Sequence, residues 1–335
     1  MSLAGLVSVV VIGRNEGARL ERCLRSVAAM ERQGFDTETV YVDSGSSDNS
    51  IAIAERLGAT TVALKASRPT AAMGRNAGWR IARGETVLFL DGDTVLDARF
   101  VLESLGEFTD PAVAVIWGHR REMFARQSIY NRVLDLDWVY APGCTEFCGG
   151  DALFRREVLE ATGGFDETLI AGEEPELCRR ILGLGFKIVH VDRAMTKHDL
   201  AITKFSQYWR RATRAGHAFA EVSERFAATA NPFWLEDARR NRRRALVLLG
   251  MVLATLVAGV AFVSVWPIVA LVALFALLAL RTAWRARWKS ADTFALLLYG
   301  VHSHLQQLPI FVGQLQFRLN RRRGRQAELV EYKGS

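Results

Sequence analysis

Thirty-six consecutive residues, Ala245 to Leu280, carry no charged side chain. As one helix they would run to roughly 54 Å at about 1.5 Å per residue, against a bilayer hydrocarbon core of about 30 Å. The pair Trp266-Pro267 lies near the middle of this run. Proline breaks a helix there, and tryptophan suits a membrane interface. A helical hairpin is therefore expected, with spans at about residues 245–263 and 268–283. A buried pair of core helices is the alternative, and the flanks weigh against it. Arg239, Arg240, Arg242, Arg243 and Arg244 precede the first span; Arg281, Arg285, Arg287 and Lys289 follow the second. The positive-inside rule places both flanks on the cytoplasmic side.

Charge divides the chain at the same place. The net charge of +7 combines a segment up to Ala238 with 28 Lys+Arg against 33 Asp+Glu and a remainder with 15 against 3. Because the basic residues flank apolar segments, they point to a membrane surface rather than to nucleic acid. A third apolar stretch, Thr293–Phe317, contains His302, His304, Gln306, Gln307 and Pro309. Polar side chains are costly at mid-membrane, so an interfacial or re-entrant segment is expected there, with a third crossing as the alternative. Residues 1–238 are expected to form one domain, with halves at about 1–95 and 96–238, and residues 239–335 a membrane domain. No basic region precedes the apolar Leu3–Ile12, so a secretory signal is not expected. Cys23, Cys144, Cys148 and Cys178 lack paired zinc-ligand spacing, which fits a reduced cytoplasmic domain.

Within the first domain, Thr86-Val-Leu-Phe-Leu-Asp91-Gly92-Asp93 is an apolar run that ends in two carboxylates one residue apart. Its short, partly β-branched and aromatic composition between Gly84 and Gly92 reads as a buried strand. Two acids at such a strand end repel each other, and Mg²⁺ or Mn²⁺ held with substrate phosphates offsets that repulsion. An acidic turn without metal is the plainer reading of this motif on its own.

Strand and helix patterns alternate before it. Val7–Ile12 reads as a strand followed by a helix to Met30; Thr39–Val42 as a strand followed by a helix to Leu57; Thr61–Leu64 as a strand followed by a helix over Ala71–Ala82. Such alternation predicts a mostly parallel, Rossmann-like α/β sheet. Ligands bind such sheets outside the strand C-termini. Three polar loops fall at that edge: Arg14–Gly17, Asp43–Ser50 and Asp91–Asp93.

The order Ile12-Gly-Arg-Asn15-Glu16, Asp43-Ser-Gly-Ser-Ser-Asp48, Gly74-Arg75-Asn76-Ala-Gly78 and Asp91-Gly-Asp93 resembles the nucleotide-sugar-binding half of a family 2 glycosyltransferase with a GT-A fold. The resemblance continues through Gly149-Gly150-Asp151, Gly163-Gly164-Phe165-Asp166-Glu167 and Glu173-Glu174-Pro175-Glu176, and covers roughly residues 6 to 215. It implies that Asn15 and Glu16 line the nucleotide pocket, that Asp43 bonds the base and that Arg75 reaches nucleotide or sugar. Asp91 and Asp93 would hold the metal–diphosphate, with Asp93 the more direct ligand, and His198, which follows an expected strand over Lys187–Val191, would complete the metal shell. Glu174 takes the place of the general base, where the family usually has aspartate, with Glu173 beside it. Gln207-Tyr-Trp-Arg210-Arg211 resembles the family's Gln-x-x-Arg-Trp signature, but Arg211 replaces the tryptophan, which speaks against processive synthesis. Arg210, Arg211 and Arg214 would bind diphosphate or an anionic acceptor.

Plainer roles exist for several of these residues. Asp43 and Asp48 suit turn caps, Arg75 a solvated helix charge, Glu173 and Glu174 the positive end of a helix dipole, His198 a core position, and the α-helical arginines lipid headgroups. Together with the apolar hairpin and its basic flanks, the resemblance implies an inverting, metal-dependent glycosyltransferase of a bacterial inner membrane, with its catalytic domain in the cytoplasm. Its expected partners are a nucleotide-sugar donor, UDP favoured, and a lipid-linked acceptor such as a polyprenyl-diphosphate saccharide or glycolipid, in envelope or exopolysaccharide synthesis. Transfer directly onto polyprenyl phosphate and a non-catalytic nucleotide-sugar-binding scaffold are the rival readings.

Overall fold

The computed structural model describes residues 5–229 and 231–324. In chain order it contains β1 (Leu6–Gly13), α1 (Ala18–Ala28), β2 (Asp36–Asp43), α2 (Ser50–Arg56), β3 (Thr60–Ala63), α3 (Ala71–Ile81), β4 (Thr86–Asp91), β5 (Thr94–Leu96), α4 (Phe100–Ser104), β6 (Val113–Glu122) and α5 (Ile129–Asp137). Then come β7 (Gly143–Cys144), β8 (Ala152–Arg155), α6 (Arg156–Thr162), α7 (Glu173–Gly183), β9 (Lys187–His198), α8 (Phe205–Phe226), α9 (Leu235–Ala261), α10 (Trp266–Arg285), α11 (Thr293–Leu305) and α12 (Gln307–Arg322). These elements form two compact units. The first takes the described residues up to Phe124 together with Trp138–Leu200; the second takes Ala125–Asp137 and the described residues from Ala201 onward. This division differs from a single cut at residue 238, because α5 and α8 group with the later helices.

The first unit is built on one sheet in the order β3-β2-β1-β4-β8-β6-β9-β5, with β7 also paired to β9. From β3 through β4 all pairs are parallel, as the alternating pattern predicts. The far half is mixed, because β8 runs antiparallel to both of its neighbours, β4 and β6. β1 is flanked on both sides, and its Val7, Val9, Val10 and Val11 are buried. That burial on both faces is why it reads as an unbroken apolar run rather than as an alternation. Register then sets the edge: Gly13 lies opposite Asp43, and Ile12 opposite Asp91. The two acidic strand ends are thus brought level beside β1.

Helix α1 buries Leu20, Cys23, Leu24 and Val27, the spacing of one helical face. Helix α3 starts at Thr70, whose hydroxyl accepts from Met73 N at 3.2 Å. It packs close to the sheet because Gly78 has no side chain; a Cβ there would run into Val10 and Val42. Gly74 does the same against Ile12. These glycines, costly inside a helix, set how near Arg75 comes to the strand ends.

β9 is longer than its apolar stretch Lys187–Val191 predicts. It continues through Asp192, Arg193 and Lys197 to His198, with register irregularities against β6. His198 is therefore the last residue of a strand, paired across from Thr94 of β5. It does not follow the strand, as the apolar pattern alone suggests.

The second unit is helical. α8 and α12 touch backbone to backbone where Gly216 meets Ile310 and Gly313 meets Thr213; Gly300 of α11 does the same against Ala279 of α10. Small residues at helix crossings permit this approach. A buried polar chain joins α8, α11 and α5: Tyr208 OH lies 2.7 Å from His302 Nδ1, and His302 Nε2 lies 3.1 Å from Asp137 Oδ2. α9 and α10 are long and apolar enough to cross a membrane, and little of their apolar windows is buried. α9 begins ten residues before the uncharged run, so Arg239–Arg244 lie on the helix itself rather than in a linker. The break between them falls at residues 262–265, and Pro267 sits in the first turn of α10, where its missing N–H costs nothing. The stretch Thr293–Phe317 is two helices rather than one segment, separated at Gln306.

Candidate active site

β4 delivers Asp91 to the sheet edge, and the Gly92 turn returns the chain through Asp93 into β5. Asp93 is buried, and its Oδ1 lies 3.2 Å from Nε2 of His198, which is also buried. Ligand atoms of Asp91, Asp93 and His198 all lie within 4.8 Å of one another. The three sequence-predicted metal residues are thus brought together. Two carboxylates and an imidazole form a donor set suited to a divalent cation, and imidazole favours Mn²⁺ over Mg²⁺.

Arg75 reaches the same place from α3. Its guanidinium is 2% exposed; it donates from Nη1 to Glu173 Oε1 at 2.8 Å and from Nη2 to Asp91 Oδ1 at 3.0 Å. Glu174 Oε1 lies 3.0 Å from Nη2. Burial disfavours the charge on Arg75, but Glu174, Asp91 and Glu173 outweigh it and hold the guanidinium above its ordinary pKa. Arg75 is therefore no solvated helix charge. It is the buried cation on which three carboxylates converge.

Glu173 and Glu174 open α7. Glu173 is the more buried, with its side chain 5% exposed against 18% for Glu174. Burial first, then the neighbouring Glu173, pushes the Glu174 carboxyl up to about 7, with Arg75 opposing. A carboxylate poised near neutrality suits proton transfer. Gly150 leaves room for the group: a Cβ there would lie 2.7 Å from Arg75 Nη2, 2.8 Å from Asp91 Oδ2 and 3.2 Å from Glu174 Oε1.

Asn15 and Asp43 organise the neighbouring loops. Asn15 has φ +55°, a conformation asparagine tolerates, and its Oδ1 accepts from Ser47 N at 2.8 Å. Asp43 is buried, with Oδ2 accepting from Gly45 N and Ser46 N and Oδ1 from Tyr41 OH and Ser46 Oγ. That carboxylate is turned into its own loop, in the turn-cap arrangement, as is Asp48, which accepts from Ser50 N. Glu16 pairs with Arg19 at 2.7 Å, and its side chain lies over Gly13 and Gly92. Arg210, Arg211 and Arg214 lie on α8 of the second unit.

Sequence reasoning gave too little weight to the residues that hold Asp91 and His198 in place. Asp151 is 2% exposed; its Oδ1 accepts from Asp91 N at 3.0 Å and its Oδ2 from Thr196 Oγ1 at 2.8 Å. Burial raises its pKa, while Arg120, with Nε 3.4 Å away, opposes. Glu122 accepts from Leu200 N at 3.0 Å and so fixes the chain just past His198. Asn76 accepts from Phe165 N and donates to Phe165 O, tying α3 to the segment before α7. The available signal was alternation in His119-Arg120-Arg121-Glu122, which turns Arg120 and Glu122 to the same side of β6.

The family model described as glycosyl transferase family 2 matches residues 8–163, and that of glycosyl transferase family group 2 matches residues 86–285. The chain belongs to glycosyltransferase family 2. Both matches include the Asp91–Asp93 strand end. An alignment of 208 positions, covering 58% of this chain, shows 28% identity to the pre-mycofactocin glycosyltransferase of Mycobacterium tuberculosis and spans 42% of that relative's length. Among solved structures, the family 2 chain is similar to the mannosyltransferase PcManGT from Pyrobaculum calidifontis in complex with GDP-Man and Mn²⁺. The TM-score is 0.65 at 22% identity, over 91% of this chain and 88% of that one. It is also similar to S. aureus TarS 1–349 in complex with UDP-GlcNAc, with a TM-score of 0.51 at 15% identity over 95% and 92% of the two chains. These likenesses establish a shared GT-A fold.

Proposed function

We propose that this chain is an inverting, metal-dependent glycosyltransferase that moves a sugar from a nucleotide-sugar donor to a lipid-linked acceptor. The observation that carries the reading is the convergence on Arg75: Asp91, Glu173 and Glu174 on one buried guanidinium, beside the Asp91–Asp93–His198 donor set. Five carboxylates, counting Asp93 and Asp151, face two guanidiniums, Arg75 and Arg120. That excess of negative charge is what a divalent cation bound with a nucleoside diphosphate offsets. Bound at Asp91, Asp93 and His198, such a cation would supply Lewis-acid stabilisation of the departing diphosphate.

The chain's own residues divide the remaining work. Glu174, the more open of the two glutamates, accepts the proton of an acceptor hydroxyl as that oxygen bonds to the anomeric carbon. The bond from that carbon to the diphosphate oxygen breaks, and its electron pair leaves with the nucleoside diphosphate. One displacement of this kind inverts the anomeric centre. Glu173, locked on Arg75 Nη1, sets the guanidinium and with it the position of Glu174. Arg75 restrains the carboxyl without neutralising it.

The donor is a nucleotide sugar, as in the GDP-Man and UDP-GlcNAc complexes of the structural neighbours, with UDP sugars the first to be screened. The lipid acceptor and the inner-membrane location rest on α9 and α10, on their basic flanks and on the positive-inside rule, which puts the catalytic unit in the cytoplasm. A membrane-held enzyme meets a membrane-held acceptor at high effective concentration. The test is transfer of radiolabel from a panel of sugar nucleotides into organic-extractable material from bacterial lipid extracts. Labelled lipid formed only with a matching donor supports the proposal. Donor hydrolysis with no labelled lipid, across all donors and extracts, contradicts the acceptor.

A further inference from the structure

The helices of the second unit form a partly open cavity of about 640 Å³, lined by none of the candidate active-site residues. It falls within the roughly 300–1,000 Å³ of small-molecule sites. Its wall is divided by chemistry. Arg243 and Arg244 of α9, Arg285 at the end of α10 and Lys289 in the turn after it bring four cations, and neither Asp nor Glu lines it. Met251 lies two turns beyond Arg244 along α9, and Phe275 lies three turns before Arg285 along α10; both line its apolar part, while Thr282, Tyr299, Ser303, His304, Gln306 and Gln307 add polar groups. Along each helix the lining thus changes from cationic to apolar with distance from the basic flank.

These cations are not there to satisfy neighbouring acids. One turn earlier on α9, Arg239 pairs with Glu236 at 2.7 Å and Arg240 pairs with Asp237. Among the described residues, no acid pairs with Arg243, Arg244 or Arg285. Lys289 Nζ donates to Leu136 O at 2.8 Å, and burial draws its ammonium below the ordinary pKa with Asp137 opposing. Gln307, 6% exposed, also lines the cavity; its Oε1 is buried without a hydrogen-bond partner among the described residues.

We propose that this cavity binds a long-chain lipid monophosphate or diphosphate, with the anionic head on Arg243, Arg244, Arg285 and Lys289 and the first part of the chain against Met251 and Phe275. The proposal rests on the membrane-anchored, lipid-acceptor reading given above. Guanidinium forks match phosphate oxygens. A phosphate monoester carries close to two charges at neutral pH, which suits three arginines with no acid partner among the described residues, beside Lys289, better than a singly charged phosphodiester headgroup does. Free phosphate would leave the apolar part of the wall, Met251 and Phe275 included, uncovered.

The test uses the full chain in phosphatidylcholine nanodiscs, with a labelled prenyl monophosphate as probe and phosphatidylglycerol and inorganic diphosphate as competitors. Wild type should bind the prenyl phosphate, resist displacement by phosphatidylglycerol and yield only weakly to inorganic diphosphate. Arg243→Gln with Arg285→Gln should weaken binding about fivefold per charge removed, or about 25-fold together. The corresponding Arg→Lys pair should keep most of the affinity, and nucleoside diphosphate binding should be unchanged in both variants. Equal affinity in the Gln pair, or equal competition by phosphatidylglycerol or by inorganic diphosphate, overturns the proposal. If the Gln pair keeps wild-type lipid affinity and still glycosylates lipid, the cavity assignment falls and the acceptor reading stands. If prenyl phosphate binds as expected while only water-soluble acceptors are glycosylated, the acceptor reading falls and the cavity stands.

Discussion

Glu174 shows how burial converts an ordinary carboxyl into a base. Its surroundings push it up to about 7, with burial the leading cause and Glu173 the second. The active form is the carboxylate, so activity should rise with pH through about 7 and fall away below it as the proton is retained. Glu174→Gln should lose transfer by about 10²–10⁴-fold while donor binding persists, because that is what a single general base contributes. A profile of kcat/KM against pH checks both points. Wild type should show the limb near 7, and the residual activity of Glu174→Gln should lack it. The same limb in the variant would move the base to another group. The Asp91–Asp93 turn was legible in the sequence as two acids at the end of an apolar strand, whereas Arg75, Glu173 and Glu174 were singled out by the family resemblance. Asp151 was less legible: a buried carboxylate that accepts from Asp91 N–H has no local pattern beyond the glycines before it.

At the level of elements, local periodicity served well where one element buries one kind of face. β1, β2, β4 and α1 fall within a few residues of their expected positions, β1 and β4 through unbroken apolar runs and α1 through buried residues recurring on one face. β9 was cut short because Asp192, Arg193 and Lys197 break the apolar run, while its pairing with β6 and β5 carries the strand on to His198. That extension brings the histidine to Asp93, so this part of the site depends on long-range register that no local signal encodes. Helix α3 offers a test of packing. Gly78→Ala would drive a Cβ into Val10, and overpacking of this kind typically costs about 1–3 kcal/mol. Chemical denaturation should show a loss of that size together with reduced activity, since Arg75 rides on the same helix. Unchanged stability would mean that α3 can retreat from the sheet without cost.

For the whole molecule, composition spoke earliest: an acidic-leaning α/β part and a strongly basic, apolar remainder. It could not show that α5, far earlier in the chain, belongs with the later helices, because the link runs through the buried His302–Asp137 contact. The hairpin makes a topological prediction. Cysteines introduced at Arg240, Trp266 and Lys289 should label so that only the site at 266 is reached from the far side of the membrane. Labelling of 240 and 289 from opposite sides would rule the hairpin out. The claim that joins fold, site and activity is metal-assisted glycosyl transfer at the Asp91–Asp93–His198 edge. It is tested most directly by donor-dependent release of nucleoside diphosphate as Mn²⁺ is titrated into EDTA-stripped protein, wild type against Asp93→Asn. Release should be lost on stripping and restored by Mn²⁺ in the wild type, and should stay far below it at every Mn²⁺ concentration in a folded Asp93→Asn. Full release in EDTA, or wild-type release from Asp93→Asn, would contradict the account.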